Sequence, residues 1–219
     1  MLVTSAHTDT FARDNLPPPE QWPDFNLDGF DYPDRLNAGY ELTDVMVERG
    51  FGDYPALIGN GRQRTYKELT DWTNRLAHVL VEDLGVKPGN RVLIRSANIP
   101  AMVACWLAAT KVGAVVINTM PMLRASELVK YVEKAEIQFA LCDTRLMDEM
   151  EIAADQSPHL KKVIGFDGTS NHDAELDRLA LEKPVQFTCV PAGRDDVALL
   201  GFTSGSTGAP KATMHFHRD

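Results

Sequence analysis

Cysteine is scarce in this chain. Cys105, Cys142 and Cys189 are the only three among 219 residues, an odd number at wide spacing with no C-x-x-C. That pattern argues against a disulfide framework and against a zinc site. Cys105 and Cys142 fall in apolar runs, so buried thiols in a reducing, cytoplasmic compartment are expected. Long apolar runs are also missing. No uncharged stretch reaches the roughly 18 residues that span a bilayer. The opening MLVTSAHTDTFARDN has no apolar h-region, so no secretory signal is expected. Positive charge is in short supply too. Lys and Arg number 22 against 31 Asp and Glu, for a formal net charge of −9, and no basic run occurs. Such a balance disfavours nucleic acids and anionic membranes, both of which need clustered cations.

Apolar residues make up 44% of the chain and charged residues 24%, which suits a soluble globular protein with a substantial core. Residues 1–50 read as an irregular arm. Pro17, Pro18, Pro19, Pro23 and Pro33 break any long element there, with Trp22, Phe25, Phe30 and Tyr32 spaced among them.

Strand and helix patterns alternate from about residue 56. Ala56-Leu57-Ile58 is a short apolar run. Thr65 and Glu68 form a capping box ahead of a helix, with Leu69, Trp72, Leu76 and Leu84 at helical spacing. Gly85 ends that helix. Strands are expected at 91–95, 114–117, 139–142 and 162–166. Helices are expected at 100–112, 126–135 and about 144–155. The 100–112 helix is apolar all round and therefore internal. The charges over residues 127–134 read as an ordinary solvated face. Alternation of this kind implies parallel βαβ units, and the fold class is α/β: a flavodoxin-like doubly wound sheet with helices on both faces. Residues 167–184 are polar with a short helix. Beyond them the rhythm changes to three strands, at 185–190, 197–202 and 212–217, with no helix between. The expected organisation is an arm over 1–50, an α/β subdomain over 51–180, and β-strands over 181–219 that open a second, mostly antiparallel subdomain.

The last two strands flank Thr203-Ser-Gly-Ser-Thr-Gly-Ala-Pro-Lys211. Gly205 and Gly208 permit positive φ and close approach of a ligand to the backbone. Successive N–H groups of such a turn form an anion nest. Thr203, Ser204, Ser206 and Thr207 add hydroxyls, and Lys211 adds a mobile positive charge. These parts suit a polyphosphate. The spacing Gly205-x-x-Gly208-x-x-Lys211 does not fit G-x-x-x-x-G-K-[ST]. The alternating residues 212–217 predict a strand after the loop, so no helix dipole anchors the anion. A Gly/Ser-rich hairpin without a ligand is the plain alternative.

This stretch resembles the phosphate-loop signature of the adenylate-forming, AMP-binding enzymes, the acyl- and aryl-CoA synthetases among them. Leu199-Leu200-Gly201-Phe202, the run Met214 to Asp219, residues 32–38 (YPDRLNA) and residues 104–108 (ACWLA) look most like benzoate- and 2-aminobenzoate-CoA ligases. The resemblance covers the chain from about Pro19 to Asp219. It implies ATP-dependent activation of a benzoate-like carboxylate as an acyl-adenylate, followed by thioester formation with CoA. ATP, Mg2+ and CoA are the implied cofactors. By the same resemblance Thr203, Ser204, Ser206 and Thr207 donate to phosphate, Gly205 and Gly208 shape the turn, and Lys211 neutralises charge. The family's adenine and acyl pockets, acidic Mg2+ ligand, ribose-binding aspartate and C-terminal lid with its catalytic lysine match no residue here. The expectation is therefore the N-terminal portion of a longer ligase, inactive alone. Other expected roles are a non-catalytic phosphate-binding module, or a truncated interaction protein that forms homo-oligomers through the face left uncovered.

Three further features are read conservatively. His215 and His217 share a strand face but lack a third metal ligand, so a polar face packing on the rest of a ligase is expected. Asp195-Asp196 reads as a solvated turn. Cys105, on an apolar helix, reads as an inert thiol rather than a nucleophile.

Overall fold

A computed structural model describes residues 2–22, 29–59, 61–167, 173–203 and 210–219. Ahead of the first strand the described residues make short helical turns: α1 (Phe11–Asp14), a tight turn over Pro19–Gln21, α2 (Ala38–Glu41), α3 (Asp44–Met46) and a wider turn over Val47–Phe51. β1 (Pro55–Gly59) and β2 (Arg62–Thr65) then pair as an antiparallel hairpin. Thr65 ends that hairpin and caps α4 (Tyr66–His78). Its Oγ1 accepts from the Glu68 N–H at 3.2 Å, and Glu68 Oε2 accepts from the Thr65 N–H at 2.9 Å. The reciprocal bonds satisfy two donors that a bare helix start would leave unpaired. After a wider last turn the chain reverses at Gly85, whose φ of 78° is left-handed.

The strand–helix alternation follows: β3 (Arg91–Arg95), α5 (Pro100–Lys111), β4 (Val115–Thr119), α6 (Ala125–Ala135), β5 (Phe139–Asp143), α7 (Met147–Gln156), β6 (Lys162–Phe166) and α8 (Glu175–Leu181). β7 (Val197–Thr203) and β8 (Lys211–Phe216) close the sequence. Six strands form one sheet in the order β6-β5-β3-β4-β7-β8. All neighbours are parallel except β7 and β8. Because side chains alternate along a strand, each strand feeds two cores. Val92, Ile94, Val116, Leu141 and Phe166 face α4, α5 and α8. Leu93, Val115, Ile117, Ala140 and Cys142 face α6 and α7. The doubly wound α/β architecture follows from this two-sided burial. α5 is internal, as its all-round apolarity requires. α2 lies so close to it that a Cβ on Gly39 would stand 2.8 Å from the Leu107 carbonyl oxygen.

The strand expected over residues 185–190 does not form. Its polar backbone is held instead by side chains and loop bonds. The Val185 carbonyl accepts from Asn74 Nδ2 at 2.8 Å, and the Val190 carbonyl accepts from Asn37 Nδ2 at 3.0 Å. The Val190 N–H donates to the Lys111 carbonyl at 2.9 Å. A segment packed along helices has no strand edge to pair with, so local β-propensity is overridden. The strands expected to open a second subdomain join the main sheet: Leu199 of β7 pairs with Val116 of β4, and β8 pairs with β7.

Candidate functional site

β7 ends with Thr203 at the carboxyl end of the parallel strands, where open α/β sheets take ligands, and β8 starts with Lys211 beside it. The register of this hairpin sets Thr203 directly across from Lys211, Gly201 across from Thr213 and Leu199 across from His215. Thr203 and Lys211 are exposed and share one face of the sheet. Gly201 has no room for a Cβ, which would meet Thr213 Oγ1 at 2.9 Å. That hydroxyl donates to the Gly201 carbonyl at 3.2 Å and lies 3.1 Å from His215 Nε2. The chain leaves the loop as a strand, so a helix dipole plays no part, as the alternating polarity indicated. Ser204, Gly205, Ser206, Thr207 and Gly208 lie outside the described residues. Of the expected phosphate group, the structure places Thr203 and Lys211.

The base of the hairpin is tightly anchored. Asp195 and Asp196 are buried, at 7% and 3% exposure, which corrects the expected solvated turn. Asp195 accepts from the Val3 N–H at 2.9 Å and from Arg218 Nε at 2.7 Å. Asp196 Oδ2 accepts from the Ala6 and Gly193 N–H groups at 2.9 and 2.8 Å. Burial pushes the Asp196 carboxyl up, but these bonds and that from Ser5 outweigh it and hold it below the usual carboxylate range. His215 and His217 part company, contrary to the shared face expected. β8 ends at Phe216, and His217 turns inward to 5% exposure while His215 stays exposed. No group of three or more His, Cys, Asp or Glu among the described residues could hold a metal ion.

Sequence reasoning missed the buried cations. Arg95, 2% exposed at the end of β3, donates to the carbonyls of Met120, Pro121, Leu123 and Leu146. It thereby fixes the loops that follow β4 and β5. Beside it opens a cavity of about 510 Å3, also lined by residues 121–124, Arg145, Leu146, Asp148 and Glu149. Arg91 donates to the Ala135 and Glu136 carbonyls at 2.9 and 3.0 Å and pairs with Asp9 at 2.6 Å. Its bonds hold Glu136 in the left-handed conformation (φ 46°) that ends α6. An arginine inside a strand pattern gives no local sign of these roles, because every partner except the Gly89 carbonyl is remote in sequence. The cysteines behave as expected. All three are free. Burial pushes Cys142 and Cys189 up to about 12 and raises Cys105 as well.

Residues 46–219 match the family model described as AMP-binding enzyme. The chain belongs to this family. Among AMP-binding relatives, the 3-hydroxybenzoate–CoA ligase of Aromatoleum sp. (strain CIB) is 29% identical over 182 residues, covering 83% of this chain and 35% of that protein. The benzoate–CoA ligase of Thauera aromatica is 28% identical over 187 residues, covering 85% and 35%. A solved anthranilate CoA ligase, AuaEII, in complex with anthranoyl-AMP superposes with a TM-score of 0.77 at 20% identity over 86% of this chain and 35% of that one, a likeness of fold. ATP-bound MatB from Rhodopseudomonas palustris superposes with a TM-score of 0.69 at 26% identity, covering 84% and 35%. The chain thus spans about a third of the length of the relatives it matches. No helix among the described residues is long and apolar enough to cross a membrane.

Proposed function

We propose that this chain supplies the N-terminal portion of an ATP-dependent acid–CoA ligase whose acid is benzoate-like, 2-aminobenzoate included. One observation supports the reading above others: the hairpin register that sets Lys211 opposite Thr203, both exposed, at the mouth of the glycine-rich loop. The β- and γ-phosphates of ATP would lie against that mouth. Thr203, Ser204, Ser206 and Thr207 donate hydrogen bonds to them, Gly205 and Gly208 admit the close backbone approach, and Lys211 neutralises charge. A substrate carboxylate oxygen then attacks the α-phosphorus, and pyrophosphate leaves with the bond to the β-phosphate. The thiol of CoA next attacks the acyl carbon and expels AMP. This chain's share is to grip and orient the leaving polyphosphate; positioning and electrostatics carry most of such a transfer. The described residues form no cluster of three or more His, Cys, Asp or Glu that could hold Mg2+. Three free thiols favour a cytoplasmic setting.

Calorimetric titration of the 219-residue chain with ATP and with tripolyphosphate tests the grip. A charge-assisted hydrogen bond contributes about 1.5–3 kcal/mol, so Lys211→Ala should weaken both ligands roughly 10- to 100-fold. Equal affinity in the variant would overturn the assignment. The 219-residue chain should show no ATP–pyrophosphate exchange with benzoate or 2-aminobenzoate. Exchange above background would refute the division of labour.

A further inference from the structure

Two imidazoles are buried where the N-terminal arm, the α2 turn and the base of the hairpin meet. His7 and His217 are 9% and 5% exposed. Both ring nitrogens of His7 and the Nε2 of His217 have no hydrogen-bond partner among the described residues. The remaining nitrogen, His217 Nδ1, accepts from the Ala38 N–H at 3.1 Å. Ala38 opens α2, and its amide is one of the donors a helix start leaves over. Two more, on Gly39 and Tyr40, go to the Asn37 side chain. An acceptor Nδ1 requires a neutral ring with its proton on Nε2. A second proton would set two N–H donors face to face across 3.1 Å. The bond that closes α2 onto the hairpin base would then become a repulsion.

The surroundings give the added proton no good partner. Asp196 faces both rings, but its Oδ2 is already shared between the Ala6 and Gly193 N–H groups. Asp9 faces His7 too, yet it is paired with Arg91 and bonded by Asn90 and Gln138. Arg13 and Arg91 also face His7, and each ring faces the other. Asp195, next along the chain, is tied to Arg218. Two positive rings would thus be buried close to each other among committed carboxylates.

We propose that His7 and His217 form a proton-operated latch, which holds residues 3–7 and the α2 turn on the base of the phosphate-loop hairpin and releases both in mild acid. The latch goes beyond the ligase reading and does not depend on it. Burial, with Asp196 opposing it, lowers His7 below its ordinary 6.5 and brings His217 to about 4. Released rings take up protons near 6.5, whereas the docked His7 resists until below it and the docked His217 until about 4. Docking is therefore fully favoured above about pH 6.5 and erodes as pH falls toward 4. Linkage sets the limit at about tenfold per pH unit for each ring.

The test follows amide exchange in the 219-residue chain by NMR between pH 7.5 and 4.5, corrected for intrinsic exchange, together with the imidazole carbon-bound protons. The Val3, Ala6 and Ala38 amides should lose protection together, about fivefold or more between pH 6.5 and 5.5, while Leu93 in the central strand holds. In His7→Gln/His217→Gln the loss over that window should vanish. Three results overturn the latch: the three amides stay as protected as Leu93 until global unfolding; the double variant opens like the parent; or both rings of the parent titrate near 6.5 with the arm still docked. The last result needs no variant, so a failure of the double variant to fold leaves the test intact.

Discussion

Replacing Asp44 by alanine strands a buried cation. Lys111, at the end of α5, is wholly buried, with its Nζ 2.5 Å from Asp44 Oδ2 and 2.6 Å from Asn74 Oδ1. Burial lowers the lysine below its ordinary range, and Asp44 is the main group opposing that shift. Without the carboxylate the ammonium keeps the neutral Asn74 amide oxygen as its hydrogen-bond partner among the described residues. Breaking such a pair from one side costs about 3–5 kcal/mol, because the desolvated charge loses its compensation. For a domain of this size that lowers the melting temperature by roughly 10 °C. Removing both charges is a different matter. Lys111→Met in the Asp44→Ala background gives up the ion pair and its desolvation cost together, and should restore stability to within about 1 kcal/mol of the parent. Urea unfolding at pH 7, with unchanged slopes, measures all three proteins. The single variant's deficit should also shrink as pH rises toward about 10, where the unfolded lysine gives up its proton as well. A single variant within about 1 kcal/mol of the parent, or a double variant as unstable as the single, would refute this account.

Thr65→Ala removes one half of the capping box on α4 and should cost about 1 kcal/mol in urea unfolding, with Thr65→Ser close to the parent; an equal loss in both would place the effect elsewhere than the hydroxyl. At pH 8 Cys105, Cys142 and Cys189 should react slowly with a disulfide reagent in the native chain and all three rapidly in denaturant, since burial raises each thiol; a fast native thiol would contradict their packing.

Local patterns carried far in this chain. Thr65 and Glu68 are three residues apart, so their reciprocal bonds are written in one turn of helix. The sides taken by Val92, Leu93 and Ile94 follow from the two-residue period of a strand, and the unbroken apolarity of residues 100–112 places α5 inside. The strand after the glycine-rich loop was visible as alternation from Ala212 to His217. Residues 185–190 show where such patterns fail: their composition suits a strand, but Asn74, Asn37 and the end of α5 claim the backbone instead.

What the residues alone determined, then, is the strand–helix alternation from β3 to β6, the two-faced sheet and the composition of the glycine-rich loop, all set by neighbours within a few positions. What only the tertiary structure decided is the state of the charged and ionisable groups. Asp195 is buried because Val3, 192 positions away, donates to it, and His217 turns inward to the amide of Ala38, 179 positions away. Arg95 and Lys111 lie inside for the same cause. A charge leaves water only when its partners are assembled around it, and those partners meet only once the chain has folded.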